Sequence, residues 1–203
     1  MALDSKHPDY ARMIADWELM RDAYAGERVV KEKGTVYLPA TPAQVLDGMT
    51  DPKQPGSIAY SAYKMRAVFP DFVSDSVESH IGLMHQKPAT FELPPQMEAL
   101  RDKATIDGEG LDGLLRRINE QQLVTGRLGL LLDFPTNQVD VANPLPYVAM
   151  YFGETCINWD NSDDHQGVNA LTLVVLDESG PVRDADFVWT ERQRYRVLQL
   201  GAQ

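Results

Sequence analysis

Cysteine is nearly absent from this chain. Cys156 is the sole thiol among 203 residues, which excludes an intrachain disulfide and any cysteine-rich zinc site. Long hydrophobic runs are missing too: none approaches the ~20 apolar residues of a membrane-spanning helix. The opening Met1–Lys6 has neither the basic start nor the apolar stretch of a secretory signal. These features predict a soluble protein of a reducing, intracellular compartment. Positive charge is scarce, with 19 Lys and Arg against 30 Asp and Glu, a net −11 and a pI of about 4.7. Such a surface repels phosphates and disfavours tight DNA binding by a basic face. It fits plain solubility, and equally a surface that passes nucleic acid without retaining it.

Complete motifs for catalysis or cofactor binding are also lacking. The glycine clusters Gly108-Glu109-Gly110 and Gly126-Arg127-Leu128-Gly129 lack the Lys-Ser/Thr ending of a phosphate cradle, and no dinucleotide-binding glycine triplet follows a strand. In the acidic stretch Asp160-Asn161-Ser162-Asp163-Asp164-His165, oxygen ligands alternate as in a calcium loop. His165 stands where that loop needs glycine, however, and Leu171 where it needs a bidentate glutamate. His80 and His85 are five apart, which turns them away from each other on a helix, unlike an i, i+4 ligand pair. No Gly-x-Ser-x-Gly elbow is present, and Cys156 has no local signature of an activated thiol. No catalytic, cofactor-binding or metal-binding residue is therefore assigned. Arg192, Arg194 and Arg196 alternate along the last expected strand, on one face. That stripe suits phosphates, an acidic neighbouring subunit, or plain solvent exposure.

What is present is a helical first half and an extended second half. Tyr10, Met13, Ile14, Trp17, Met20 and Tyr24 recur at helical spacing between Pro8-Asp9 and Gly26, predicting an amphipathic helix with an apolar packing stripe. Residues 27–56 are broken by Pro42, Gly48, Pro52 and Pro55-Gly56 and predict loop, with a brief extended piece over 34–39. Two helices should follow, capped by Ser57 and Asp71 and separated at Phe69-Pro70, the second ending at Lys87-Pro88. A short extended piece over 90–93, a short helix over 97–103 and a longer helix over 111–125 come next. The pattern then changes: Leu128–Leu132 predicts a buried strand, 171–176 and 186–200 predict further strands, and Glu178-Ser179-Gly180-Pro181 predicts a turn between those two. Residues 147–159, broken by Gly153, fit helix and strand alike. Helices first and antiparallel strands later make an α+β protein, expected as a single domain over 1–203. The last strand, ending at Leu198-Gln199-Leu200, has no evident return partner in the sequence, which leaves an exposed edge.

Several fragments, in order, resemble a portal-protein family of tailed bacteriophages. They are Trp17 with Arg21-Asp22 and Gly26; Thr35-Val36-Tyr37-Leu38-Pro39; Tyr60-x-x-Tyr63-x-x-Arg66-Ala67-x-Phe69; and Gly82-Leu83-Met84-His85-Gln86-Lys87-Pro88. Asp107-Gly108-x-Gly110, Gly126-Arg127-x-Gly129, Asp133-Phe134-Pro135, Pro146-Tyr147, Tyr151, Glu154 and Ile157-Asn158-Trp159 continue the series. The resemblance spans about residues 10 to 200. It implies a structural head-tail connector and not an enzyme: a ring homo-oligomer, dodecameric in the full-length family members, through which double-stranded DNA is packaged and ejected. It further implies terminase, capsid and tail or neck proteins as partners, no cofactor, and residence at the portal vertex of the virion after assembly in the host cytoplasm. Portal proteins of this type add stem, clip and crown, so the chain is expected to correspond to the N-terminal wing region of a longer protein. Two other classes stay open on the residues themselves: a small enzyme or nucleotide-binding protein with a dispersed site, and a non-viral interaction module.

Overall fold

The computed structural model describes residues 3–134, 146–162 and 170–200. Its architecture is α+β, with helices first and small antiparallel sheets after them. Two compact units are present: Glu18–Gly82, and Met1–Trp17 together with Leu83–Gln203.

The smaller unit begins within the first helix, α1 (Pro8–Ala25). Gly26 ends that helix at φ 85°, a left-handed conformation that glycine adopts without a Cβ penalty. Residues 27–56 are more helical than their sequence suggests. They form α2 (Glu27–Glu32), a 3-10 turn over Gly34–Val36 where an extended piece was expected, and α3 (Pro42–Leu46). The reason is positional. Pro42 and Pro55 each stand in a first helical turn, where proline's missing N–H costs nothing and its fixed φ favours the helix. Thr41 caps α3, its hydroxyl accepting from Gln44 N while the Gln44 side chain accepts from Thr41 N, a reciprocal capping box. The next helix, α4 (Pro55–Arg66), starts after Gln54 and not at the expected Ser57 cap. At Gly56 the chain passes so close to α3 that a Cβ would lie 2.2 Å from the Gln44 carbonyl oxygen. Helix α5 (Phe72–Met84) buries Val77 and Ile81.

In the larger unit, a 3-10 turn over Pro95–Arg101 replaces the short helix expected at 97–103, and residues 90–93 pair with no strand. Helix α6 (Leu111–Thr125) has its expected span and ends on Gly126 at φ 72°. Strand β1 (Leu128–Asp133) pairs antiparallel with β2 (Tyr147–Phe152). It is not fully buried, since Leu130 and Leu132 are about half exposed: with two strands, one face of the ribbon stays open. A 3-10 turn over Gly153–Thr155 leads to β3 (Cys156–Ser162), so the ambiguous 147–159 segment is two strands broken at Gly153. The remaining strands are β4 (Ala170–Asp177), β5 (Gly180–Arg183), β6 (Trp189–Arg192) and β7 (Tyr195–Gln199). β3, β4 and β7 form a three-stranded sheet in that order, and β5 and β6 a separate hairpin. The last strand does have a return partner: β7 lies antiparallel to β4, with Val175 opposite Val197.

The aromatic stripe of α1 builds this unit's core. Tyr10 and Trp17 pack edge to face, centroids 5.8 Å apart, and are buried with Ile157 and Val175. Met13, Ile14, Trp159, Leu173 and Tyr195 close around them. The helix is pinned at its start, where His7 N donates to Ile157 O at 2.9 Å and Tyr10 Oη to Glu154 O at 2.9 Å. Burying each large apolar side chain contributes about 1.5–3 kcal/mol, so this small cluster dominates the docking of the helix on β3 and β4.

Candidate functional site

A polar cluster joins the β1–β2 ribbon of the larger unit to its three-stranded sheet. Arg196 of β7 donates from Nη1 to Asp133 Oδ2 at 2.5 Å and from Nε to Glu178 Oε1 at 2.7 Å. Arg194 Nε lies 3.4 Å from Glu178 Oε2. Tyr151 donates to Glu178 at 2.8 Å and Tyr147 to Asp133 at 3.3 Å. The Arg196 hydrogen bond, chiefly, holds the Asp133 carboxyl below its usual range. Burial and the Glu178 acceptor push Tyr151 up to about 12. At neutral pH Asp133 is ionised, both carboxyl groups are already engaged by the arginines, and the two phenols keep their protons. This cluster is a cross-brace between β1, β2 and β7, with no base available for proton abstraction. It also revises the arginine stripe. Arg192 lies on β6 and Arg196 on β7, and both Arg194 and Arg196 are matched by carboxylates of the same chain, so the three do not make one phosphate-binding face.

A second cluster lies in the smaller unit. Asp22 is buried at 7% exposure. It accepts from Lys33 Nζ at 2.5 Å and from the Tyr37 hydroxyl. Burial alone would raise its pKa, but the hydrogen bonds from Lys33 and Tyr37 outweigh it and lower the carboxyl. Tyr37 is correspondingly pushed up to about 12, first by that hydrogen bond and then by burial. Tyr37 also lines an open apolar cavity of about 330 Å³, with Leu19, Val30, Leu38, Val68 and Phe69.

Cys156 is buried beside Gly129, where a Cβ would come within 3.1 Å of its Sγ. Burial raises the thiol's pKa against the opposing pull of Arg127, the reverse of what a nucleophilic thiolate needs. Arg127 lies 3.6 Å over the Trp159 ring, and His7 stacks against Trp159 with centroids 4.1 Å apart. His80 and His85 do not converge: His80 Nδ1 donates to Ser76 O at 2.6 Å, and His85 Nε2 accepts from Asn119 at 3.0 Å. Asp160, Asn161 and Ser162 belong to β3 and not to a loop. Asp163, Asp164 and His165 lie outside the described residues. Among the described residues, no three His, Cys, Asp or Glu side chains are grouped to hold a metal ion. No helix there is long and apolar enough to cross a membrane.

The surface carries the more telling feature. Beyond the bend at Glu178, where Glu178 N donates to Arg194 O at 2.8 Å, the β4–β7 pair continues as the β5–β6 hairpin. Every residue of β6 is exposed, as are three of the four in β5. At its tip Asp184 Oδ1 accepts from Asp186 N and Val188 N, both at 2.9 Å. Phe187 is held at φ 64° and is 73% exposed, and Val188 and Trp189 are also exposed. In the smaller unit Leu46, Ile58, Met65, Val68 and Phe72 are likewise open. An isolated two-stranded ribbon is at best marginally stable in water. Apolar exposure of this extent marks a contact surface more often than a free one.

The arm is missed by the sequence reading, which predicts a turn over 178–181 and one strand over 186–200, whereas Gly180–Arg183 and Trp189–Arg192 pair as a hairpin. The signal was Asp184-Ala185-Asp186, since aspartate side chains cap turns by bonding to nearby backbone N–H groups. No protein-family model matches the chain, and no curated protein matches it.

Proposed function

We propose that the chain is the wing-region part of a tailed-phage portal protein, a structural subunit of the ring through which double-stranded DNA enters and leaves the capsid. One observation carries this reading beyond the sequence resemblance: large apolar side chains stand exposed on the β5–β6 arm and on the helices of the smaller unit. That pattern suits a subunit completed by its neighbours. The described polar clusters are internally paired, which suits a scaffold and offers no free catalytic group. In this reading terminase and tail or neck proteins dock on the assembled ring, the capsid surrounds it, and ATP hydrolysis belongs to the terminase. An acidic chain of net −11 lets DNA pass without holding it.

Sedimentation velocity and negative-stain microscopy of the purified protein test the proposal. Rings or a defined oligomer are expected, and a monomer at every concentration with no rings would count against it. A thermal-shift screen with nucleotides and divalent metals tests the enzyme alternative, because a true ligand stabilises the folded state by mass action. The portal reading expects no shift.

A further inference from the structure

We propose that the β5–β6 hairpin is an assembly arm. Its tip, Phe187, enters the apolar cavity lined by Leu19, Val30, Leu38, Val68 and Phe69 on a second copy of this chain. The proposal rests on the assembly reading above and names the surfaces that carry it.

Size is the first argument. The cavity holds about 330 Å³ and is bounded almost wholly by aliphatic and aromatic side chains, which suits one phenyl ring with a neighbouring aliphatic group. Phe187 and Val188 sit together at the tip of the arm, both open to solvent. Phe187 is also held at positive φ, a conformation that costs a bulky residue energy and persists only where the surrounding structure imposes it, here the turn that Asp184 caps. Within one chain Arg183 lies 5.0 Å from the Phe187 ring, yet the ring remains 73% exposed.

Charge selects the partner. Between Glu18 and Gly82 there are seven basic and nine acidic residues, so this stretch carries −2 of the chain's −11. The segment that supplies the cavity thus carries little of the charge that would repel an acidic copy. Arg66 ends α4 next to the cavity residues Ala67 and Val68, and it pairs with no carboxylate among the described residues. On the arm, Asp186 beside Phe187 is likewise unpaired through its carboxylate, Asp184 being the one that caps the turn. Seating Phe187 in the cavity brings these opposite charges to the same rim. Arm and cavity are different surfaces, so the contact is heterologous, the type that closes into rings or grows open chains.

Two exposed substitutions separate the halves of this contact without entering the core. Phe187→Asn tolerates the positive φ and leaves the cavity intact; Val68→Asp spoils the cavity mouth and leaves the arm intact. Circular dichroism of both should match the wild type, which shows that each variant is folded. Sedimentation velocity of each alone should show self-association weakened roughly tenfold or more. Mixed in equal amounts, the two should form a one-to-one pair that grows no further, because one intact arm meets one intact cavity. The double charge exchange Arg66→Glu with Asp186→Arg should recover association that either change alone weakens. If the two variants assemble like wild type, the arm is not the contact and the ring reading survives. Loss of assembly in each alone with no pairing in the mixture also overturns the arm-to-cavity match while sparing the ring. A wild-type chain that stays monomeric throughout overturns both.

Discussion

Replacing Tyr37 with phenylalanine removes one hydroxyl and leaves the ring in place, which isolates the value of a single hydrogen bond to the buried Asp22 carboxylate. Hydrogen bonds to charged groups contribute about 1.5–3 kcal/mol. The phenol's own titration points the same way: Tyr37 is pushed up to about 12, first by the hydrogen bond to Asp22 and then by burial. Tyr37 is only half-buried, and solvent screening brings the expected loss to about 1.5–2 kcal/mol. The pH dependence has a definite sign at both ends. Asp22 sits below its ordinary value of 3.8, so its contribution is present above that pH and is lost as pH falls through the lower folded value. Tyr37 is raised, so its contribution is complete below pH 10 and is lost as pH rises through about 12. The difference between wild type and Tyr37→Phe should therefore be flat from about pH 5 to 9 and shrink on either side. Urea unfolding followed by circular dichroism at several pH values measures it. A neutral-pH difference under ~0.3 kcal/mol, or one that does not change on acidification, would refute the reasoning. Absorbance titration of tyrosinate gives a second check, since the variant should lose one of the phenols that ionise late and keep Tyr151.

Three further outcomes follow from the packing. Trp17→Ala, which empties the centre of the Tyr10–Ile157–Val175 cluster, should cost about 3–5 kcal/mol in chemical unfolding. Gly56→Ala should destabilise the α3–α4 pair by about 1–3 kcal/mol or more, because the added methyl meets the Gln44 carbonyl at 2.2 Å; an unchanged melting temperature would show that α3 can move aside. Cys156 should react with a thiol reagent at the rate of unfolding and not at the rate of a free thiol, since it is buried and its pKa is raised; fast stoichiometric labelling of the native protein would contradict the burial.

The parts legible in the sequence were those where one periodicity ran long enough to dominate. Helix α1 was readable from its aromatic stripe between Pro8 and Gly26, and α6 from Leu111 to the glycine that caps it. Between them the prolines misled. Pro42 and Pro55 look like breakers along a string of letters, yet both sit in the first turn of a helix, and Thr41 with Gln44 already held the capping pattern that distinguishes the two cases. The leucine run of β1 was expected to be fully buried because periodicity cannot say how many layers cover a strand; here the ribbon has two strands and one open face. Glu178 as the partner of Arg194 and Arg196 was beyond sequence reasoning, since the pairing depends on a register that places Leu176 opposite Arg196. The arm was hidden for a related reason: a break at Gln193–Arg194 divides the stretch 186–200 that reads as continuous strand, and Gly180-Pro181, which read as a turn, open β5.

The three tryptophans of the chain are Trp17, Trp159 and Trp189, and their surroundings differ sharply. Trp17 is buried in the α1 core, Trp159 is stacked between His7 and Arg127, and Trp189 is 64% exposed on the arm. The protein therefore carries its own optical labels. The red edge of its intrinsic emission should come from Trp189, the indole most open to iodide, while Trp17 is buried and Trp159 half-buried. Any partner that covers the arm should shift and protect that component alone, with no dye attached.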